Sequence, residues 1–364
     1  MSAGEPSGDR IAARVAEELG REGARLYGLG GSLAQGAGIE LISRTDGMAA
    51  VGLSGVVRAL SSWLDLWART RREIDSRPPD AALLVDSPEL NLPLARALKT
   101  AGARVVQYVG PQVWAWRPSR LGLLRDRTDF VALVLPFEKP LYDRAGVRAD
   151  FVGHPLVDEK AAVPGARVRR LLHVAPGRGL VTLLPGSRRS EVEALAPAMV
   201  DAGLRLLRAG ITPVLAPFPG TLPPRLEEAA RSAGCAFAPR GLAVRDLLGA
   251  SDAAIAASGT VTLEAALEGV PMVVAYRLGS VSWRLARRLV RVDHIALPNL
   301  IAGREIVPEF LQGRVTGANL AAAAMDLLGG PSGDRQREAL FDVARSLGRP
   351  GVAGRVADLV MELV

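Results

Sequence analysis

Short apolar runs and amphipathic helical stretches alternate along almost the whole chain, and that alternation leaves few folds open. In the first half the runs are Leu26–Leu29, Ala81–Val85, Val105–Val109, Phe130–Leu133 and Phe151–Val152, with helical patterns at 10–22, 56–76, 89–100 and 138–145. Apolar runs this short suit buried strands, and a helix between successive strands supplies the crossover that parallel pairing needs. A looser stretch rich in Arg, Gly and Pro follows Gly153-His154-Pro155 as far as residue 178, and the series then restarts. Leu180–Leu184, Pro213–Phe218, Ala253–Ala257 and Met272–Tyr276 read as strands, with helices near 190–208, 224–233, 244–250, 261–268 and 282–291. From residue 316 the pattern is helical, broken by Gly329-Gly330-Pro331-Ser332-Gly333.

The expectation is an α/β chain of two Rossmann-like domains with parallel sheets facing a cleft. Residues 1–160 form the N-terminal domain, 161–330 the C-terminal one, and the helices of 331–364 pack back towards the N-terminal domain. A length of 364 residues suits two domains of ordinary size. The start is anomalous. Ser2-Ala3-Gly4-Glu5-Pro6-Ser7-Gly8-Asp9 reads as a strand-to-helix turn, yet no apolar strand precedes it. The first strand of the N-terminal domain is therefore expected to be missing, with the true start upstream of Met1.

One cysteine, Cys235, excludes an internal disulfide framework and fits a reducing cytosol. His154, His173 and His294 are far apart, no Cys/His spacing suggests zinc, and neither a metal nor a cofactor is expected. No secretory leader is visible, and no apolar run approaches the roughly 18 residues a spanning helix needs. Lys+Arg outnumber Asp+Glu by 45 to 38, a net charge of +7. That balance suits an anionic lipid surface, phosphorylated substrates or nucleic acid, and equally a genomic bias towards Arg codons.

Four turns combine the residues that chemistry at strand ends requires. Leu183-Leu184-Pro185-Gly186-Ser187-Arg188 lets a phosphate approach backbone amides beside an arginine able to bind it bidentately. Ser258-Gly259-Thr260, followed by Glu264 one turn into a helix, repeats that logic, with Glu264 placed to accept ribose hydroxyls. Both are also ordinary capped strand–helix turns. Asp86-Ser87-Pro88-Glu89-Leu90-Asn91 sends a carboxylate off a strand end, where a general base or a plain turn aspartate would sit. Val113-Trp114-Ala115-Trp116-Arg117 places two of the chain's five tryptophans in a loop, either as a substrate-facing wall or as packing. The stretch 56–72 puts Val56, Leu60, Trp63, Leu64 and Trp67 at helical spacing with Arg nearby. Such a face suits the core or a membrane interface, and Trp283–Arg291 has a similar character.

Taken together, these segments resemble the lipid-A-disaccharide synthase family. The resemblance rests on AGEPSGD at 3–9, VWAWR at 113–117, LPFEKPLYD at 135–143, GHPLVD at 153–158, LLPGSR at 183–188, ASGTVTLEAAL at 257–267 and LPNLIAGREIVPEFLQ at 297–312. It implies a GT-B glycosyltransferase acting peripherally at the cytoplasmic face of the inner membrane. The implied reaction transfers 2,3-diacylglucosamine from its UDP conjugate to 2,3-diacylglucosamine 1-phosphate with inversion, giving a β-1,6-linked disaccharide 1-phosphate and UDP. By the same resemblance Asp86 is the candidate base. Arg188, Ser258, Gly259, Thr260, Glu264, Asn299 and Glu305 attend the UDP-sugar. Ser7, Gly8, Asp9, Asn91, Trp114 and Trp116 line the acceptor side. Val56, Leu60, Trp63, Leu64 and Trp67 take acyl chains or the anionic membrane surface. Nucleic acid is not an expected partner, and a homodimer is left open. The chain departs from its relatives at Glu89, where many have Asp, and at Gly52–Gly55, which lacks a glutamate the family often carries. Another GT-B transferase, acting on a polyprenyl-linked glycan, and a UDP-sugar epimerase of similar fold are the competing readings.

Overall fold

The computed structural model describes residues 1–45, 56–217, 220–279, 283 and 292–364, the side chains of 56–62 excepted. It divides into two units, Met1–Asp158 with Leu347–Val364, and Glu159–Ser346.

The first unit runs β1 (Ser2–Ala3), α1 (Pro6–Arg21), β2 (Tyr27–Gly30), α2 (Ser32–Gly36), β3 (Glu40–Arg44), α3 (Val56–Ser76), β4 (Ala81–Val85), α4 (Pro88–Thr100), β5 (Arg104–Tyr108), α5 (Arg120–Arg127), β6 (Phe130–Leu133), α6 (Lys139–Arg144) and β7 (Ala149–Phe151). Its seven strands lie in the order β3-β2-β1-β4-β5-β6-β7, every pair parallel. The second unit runs α7 (Gly165–Leu171), β8 (Leu180–Leu184), α8 (Arg189–Arg208), β9 (Thr212–Leu215), α9 (Pro224–Ser232), β10 (Ala236–Phe237), α10 (Val244–Leu248), β11 (Ala253–Ala257), α11 (Val261–Leu267), β12 (Met272–Tyr276), α12 (Leu297–Ala302), β13 (Glu309–Leu311), α13 (Gly317–Leu327) and α14 (Pro331–Ser346). Its sheet, also parallel, has the order β10-β9-β8-β11-β12-β13. The central strands β8 and β11 are buried along their whole length, as sheets covered by helices on both faces must be. In each sheet the strand order reverses once, between β1 and β4 and between β8 and β11. Ligands of open α/β sheets bind at such points, outside the carboxyl ends of the strands.

The expected absence of a first strand is corrected. Residues Ser2 and Ala3 form β1 at the centre of the sheet, pairing with Leu29 on one side and with Leu84 and Val85 on the other. The Met1 carbonyl accepts from the Leu29 amide at 2.9 Å. Gly28, at φ 151°, makes room: a Cβ there would lie 1.8 Å from the Met1 carbonyl oxygen. Backbone pairing needs no apolar run, so hydropathy alone missed a strand of two residues.

The tail is corrected too. Of residues 331–364, α14 stays with the second unit, packing on α11 and α12. Its buried Gln336 accepts from the Met272 amide at 2.5 Å. Only the last helix, α15 (Val352–Met361), joins the first unit, where it packs on α1. The Asp158 carboxylate caps it, accepting from the amides of Gly351, Val352 and Ala353 at 2.6, 3.2 and 3.1 Å. Beyond β1, the strands β3, β10 and β13 also went unread, being short or only partly buried.

Candidate active site

In the first unit the chain leaves β4 through two left-handed residues, Asp86 at φ 49° and Ser87 at φ 43°. Neither is glycine, so the turn stores strain that its surroundings must hold. The Asp86 amide donates to the Tyr108 carbonyl at 2.9 Å. Its carbonyl accepts from Asn91 Nδ2 at 2.7 Å and from Gln107 Nε2 at 3.2 Å. Asn91 also donates to the Val85 carbonyl at 2.9 Å and accepts from Ser2 Oγ at 2.7 Å. Asn91 and Gln107 are buried, so this clamp works away from water.

The β1–α1 turn presses against the same place. A Cβ on Gly4 would come within 2.6 Å of Ser87 Oγ and 2.9 Å of Ser87 Cβ, so only glycine lets the two turns meet. Helix α1 starts at Pro6, earlier than the periodicity suggested, which puts Ser7, Gly8 and Asp9 in its first turn. Ser7 is exposed and Gly8 is buried. Asp9, expected on the acceptor side, is turned inward instead. Its carboxylate caps α2, accepting from the amides of Gly31, Leu33 and Ala34 at 2.6, 3.1 and 3.2 Å.

The loop after β5 lies alongside. Val109 and Arg117 are left-handed at φ 63° and 52°, so four of the six non-glycine residues with positive φ among the described residues fall in the loops following β4 and β5. For β-branched Val109 that conformation is a genuine outlier. Trp114 is held down: its Nε1 donates to Glu138 at 3.1 Å and its ring meets Phe137 edge-on at 5.3 Å. Glu138 is buried and also accepts from the Leu135 amide at 3.1 Å. Burial pushes its carboxyl up to about 7, against the pull of those donors. Trp116 is 38% exposed and carries the guanidinium groups of Arg117 and Arg120 against its ring, at 4.4 and 5.2 Å from the centroid. Arg120 also pairs with Glu89, at the start of α4.

In the second unit the β8–α8 turn bends at Gly186, φ 119°. Glu191 closes it by accepting from the amides of Ser187 and Arg188 at 3.3 Å each. Arg188 is 72% exposed, with Glu191 loosely paired at 3.9 Å. In the β11–α11 turn Ser258 Oγ donates to the Ile295 carbonyl at 2.9 Å, so this hydroxyl fastens the 292–296 segment. Gly259 bends the chain at φ 154° and Thr260, at the head of α11, is exposed. Glu264 lies half-buried in the first turn of that helix.

Asn299 is fully buried and its amide is saturated. Oδ1 accepts from the amides of Ile306 and Val307 at 2.7 and 2.9 Å, and Nδ2 donates to the Val307 carbonyl and to Glu309 at 2.9 and 2.8 Å. Two donors and two acceptors exhaust a primary amide. Expected beside the UDP-sugar, Asn299 thus builds the 305–309 loop, on which Glu305 is exposed. Glu309 completes the knot by accepting from the amides of Ile295 and Ala296.

On α3, Trp63 and Trp67 pack against the core that includes Leu66, Leu84 and Leu90, so they are not a free face. Leu64 is 63% exposed. The side chains of Val56 and Leu60, residues Gly52–Gly55 and most of 283–291 lie outside the described residues. No helix among the described residues is long and apolar enough to cross a membrane. Sequence reasoning passed over Gln107, Arg120 and Glu309. Gln107 left one signal, a lone amide in the otherwise apolar end of β5.

Comparison with known proteins agrees over the whole chain. The profile of the Lipid-A-disaccharide synthetase family matches residues 1–350. The chain is 40% identical to the lipid-A-disaccharide synthase of Syntrophus aciditrophicus (strain SB) over 376 aligned residues, covering 100% of this chain and 96% of that protein. It is also 40% identical to the one from Anaeromyxobacter sp. (strain K), covering 99% and 95%. Among solved structures it resembles MurG of Acinetobacter baumannii, with a TM-score of 0.60 at 16% identity, covering 100% of this chain and 98% of that one. It resembles the UDP-GlcNAc 2-epimerase of Neisseria meningitidis too, with a TM-score of 0.64 at 11% identity, covering 99% and 98%. The two structural likenesses speak for the GT-B type of fold alone, which transferases and epimerases share.

Proposed function

The chain belongs to the lipid-A-disaccharide synthase family, and from that premise we propose that it joins 2,3-diacylglucosamine, delivered as its UDP conjugate, to 2,3-diacylglucosamine 1-phosphate with inversion. That it is a glycosyltransferase of lipid A biosynthesis follows from the family itself. The reading adds substrates, stereochemistry and residues.

One observation carries it: Asp86 sits in a strained turn at the strand reversal of the first sheet, locked through its own backbone by Asn91 and Gln107. In the proposed reaction the Asp86 carboxylate takes the proton from the acceptor's C6 hydroxyl as that oxygen attacks the anomeric carbon of the donor. The C1–oxygen bond to UDP breaks on the opposite face, which inverts the centre. A base whose backbone is already fixed has less to order at that moment. UDP leaves with its charge met by Arg188 and by the backbone of the turns at 186–188 and 258–260, which sit at the strand reversal of the second sheet. Asn299 contributes by holding the loop that carries Glu305, and Glu264 faces the ribose. Trp114 and Trp116 wall the acceptor's sugar. Leu64, exposed on α3, meets acyl chains or an anionic inner-membrane surface from the cytoplasmic side.

Product analysis by mass spectrometry with the two lipid substrates tests reaction, donor and acceptor together. The expected product is the tetraacyl disaccharide 1-phosphate, formed in step with UDP. Asp86→Asn is expected to lose at least about a hundredfold in kcat while still binding UDP, the usual scale for a general base. Normal turnover in that variant would sink the assignment of Asp86. Hydrolysis or epimerisation of a UDP-sugar with no disaccharide formed would instead favour an epimerase-like reaction.

A further inference from the structure

We propose that Arg117, stacked on Trp116 beside the Asp86 turn, is the subsite for the anomeric phosphate of the acceptor. The inference rests on the acceptor named above and goes beyond it by giving its phosphate a place.

Three carboxylate and guanidinium groups meet where the loops after β4 and β5 touch. Glu89 stands three residues beyond Asp86, in the first turn of α4. Arg120, with a side chain only 11% exposed, pairs with Glu89 Oε1. Arg117 Nη1 stands 3.6 Å from that same oxygen, near enough for charge but too far for a hydrogen bond. Two guanidinium groups thus share one carboxylate, which leaves a local charge of +1.

The two arginines are not equivalent. Arg120 is committed to Glu89 and nearly buried. Arg117 is 56% exposed, and its guanidinium donates no hydrogen bond among the described residues. It is nevertheless held in place. Its guanidinium carbon lies over the Trp116 ring, 4.4 Å from the centroid, and its backbone is in the left-handed region at φ 52°. Stacking orients the fork without using its N–H groups, so the donors remain for a ligand. An oriented guanidinium with open donors and a residual positive charge matches a phosphate dianion, which it can take bidentately.

Position and chemistry agree. Carbons 1 and 5 of a pyranose flank the ring oxygen, so its anomeric phosphate and its C6 hydroxyl leave the ring on either side of that atom. A sugar whose C6 hydroxyl reaches Asp86 would carry its phosphate within one ring of the base. Arg117 approaches Glu89, three residues beyond Asp86 and in the first turn of α4, which puts it on the helix side of the base's turn. Glu89 also repels the phosphate unless Arg120 neutralises it, which gives the Glu89–Arg120 pair a purpose beyond fastening two loops.

The test compares two acceptors on one enzyme preparation: 2,3-diacylglucosamine 1-phosphate and the same lipid with a methyl group in place of the phosphate. The wild type should favour the phosphorylated acceptor in kcat/KM. Arg117→Gln should reduce that preference about 10- to 100-fold, the scale of a charge-assisted pair of hydrogen bonds, mainly through the acceptor KM. Arg117→Lys should keep part of it. Because the readout is a ratio within each protein, partial unfolding of a variant cancels. A purely structural cluster predicts the contrary result, equal losses on both acceptors with the preference intact, and that result overturns the subsite. Glu89→Gln adds an independent arm: without the carboxylate the charges of Arg117 and Arg120 are no longer partly neutralised, so the preference for phosphate should rise, and a fall would overturn the proposal. A wild type that uses neither acceptor overturns the reaction as well, whereas wild-type turnover with an unchanged ratio in Arg117→Gln removes the subsite alone.

Discussion

Asn91 Nδ2 donates to the backbone carbonyl of Asp86 at 2.7 Å, across the left-handed turn that separates them. The candidate base is therefore set by its main chain, and a residue that never meets solvent does the setting. Because Asn91 also bonds Ser2 Oγ and the Val85 carbonyl, one amide ties β1, β4 and the start of α4 together.

Replacing Asn91 by Leu should cost both activity and stability. Three polar groups would lose a buried partner, at about 1–3 kcal/mol for each one left unsatisfied. With the turn free to relax, kcat should fall about tenfold or more while UDP affinity holds. Urea denaturation, steady-state kinetics and UDP titration on the same preparation check this. Wild-type kcat in a destabilised Asn91→Leu protein would show that the turn keeps its shape without the amide.

Asp9 should behave otherwise. Its carboxylate serves three amides at the head of α2, so Asp9→Ala is expected to lower stability by about 1–2 kcal/mol, the scale of a lost cap. At a temperature where the variant remains folded, both KM values should stay within a few-fold of wild type. A selective rise in acceptor KM would return Asp9 to the acceptor side, where the motif first placed it.

Glu138 predicts a pH effect of defined sign. Its folded carboxyl is pushed up to about 7 by burial, above its ordinary 4.5. Between those values the folded state holds a proton that the unfolded state has released, so stability must fall as pH rises from 5 to 7. The contribution is on the order of 1–3 kcal/mol and should be absent in Glu138→Gln. Ionisation also strengthens the bond from the Trp114 indole, so tryptophan fluorescence of the folded protein should titrate around pH 7, at the upper end of that stability change. A flat stability profile, or a slope that survives in Glu138→Gln, would contradict this account.

On α3, Leu64 and Trp67 separate two roles that periodicity alone merged. Trp67 packs on the core with Trp63, so Trp67→Ser should lower the melting temperature whether or not lipid is present. Leu64 is exposed, so Leu64→Glu should leave melting unchanged and weaken binding to vesicles containing anionic lipid. Unchanged vesicle binding in Leu64→Glu would remove this residue from any lipid contact.

Much of this molecule was legible in the order of its residues. Apolar runs of four or five residues gave β4, β6, β8, β11 and β12 at their observed bounds, because strands buried on both faces must be continuously apolar. The motifs at Asp86, Arg188 and Ser258–Thr260 stood out because turns at strand ends need Gly, Pro and small polar residues whatever they bind. Partnership was not legible. Asp9, Asn91 and Asn299 all sit in motifs that suggest a ligand, yet each spends its side chain on other groups of this chain, backbone for Asp9 and both backbone and side chain for the two asparagines. Residues 22 to 25 positions away satisfy Asp9, and Ser2, 89 positions away, meets Asn91.

The sequence alone determined that two parallel α/β sheets would form and which turns would stand at their strand ends, since hydropathy period and turn chemistry are local properties. Only the tertiary structure decided which turns share a strand reversal, that two residues suffice for the central strand β1, and that α14 and α15 part company between the units. Those outcomes depend on hydrogen bonds and contacts between segments far apart in the chain, such as Glu89 with Arg120, whose energies no local pattern records.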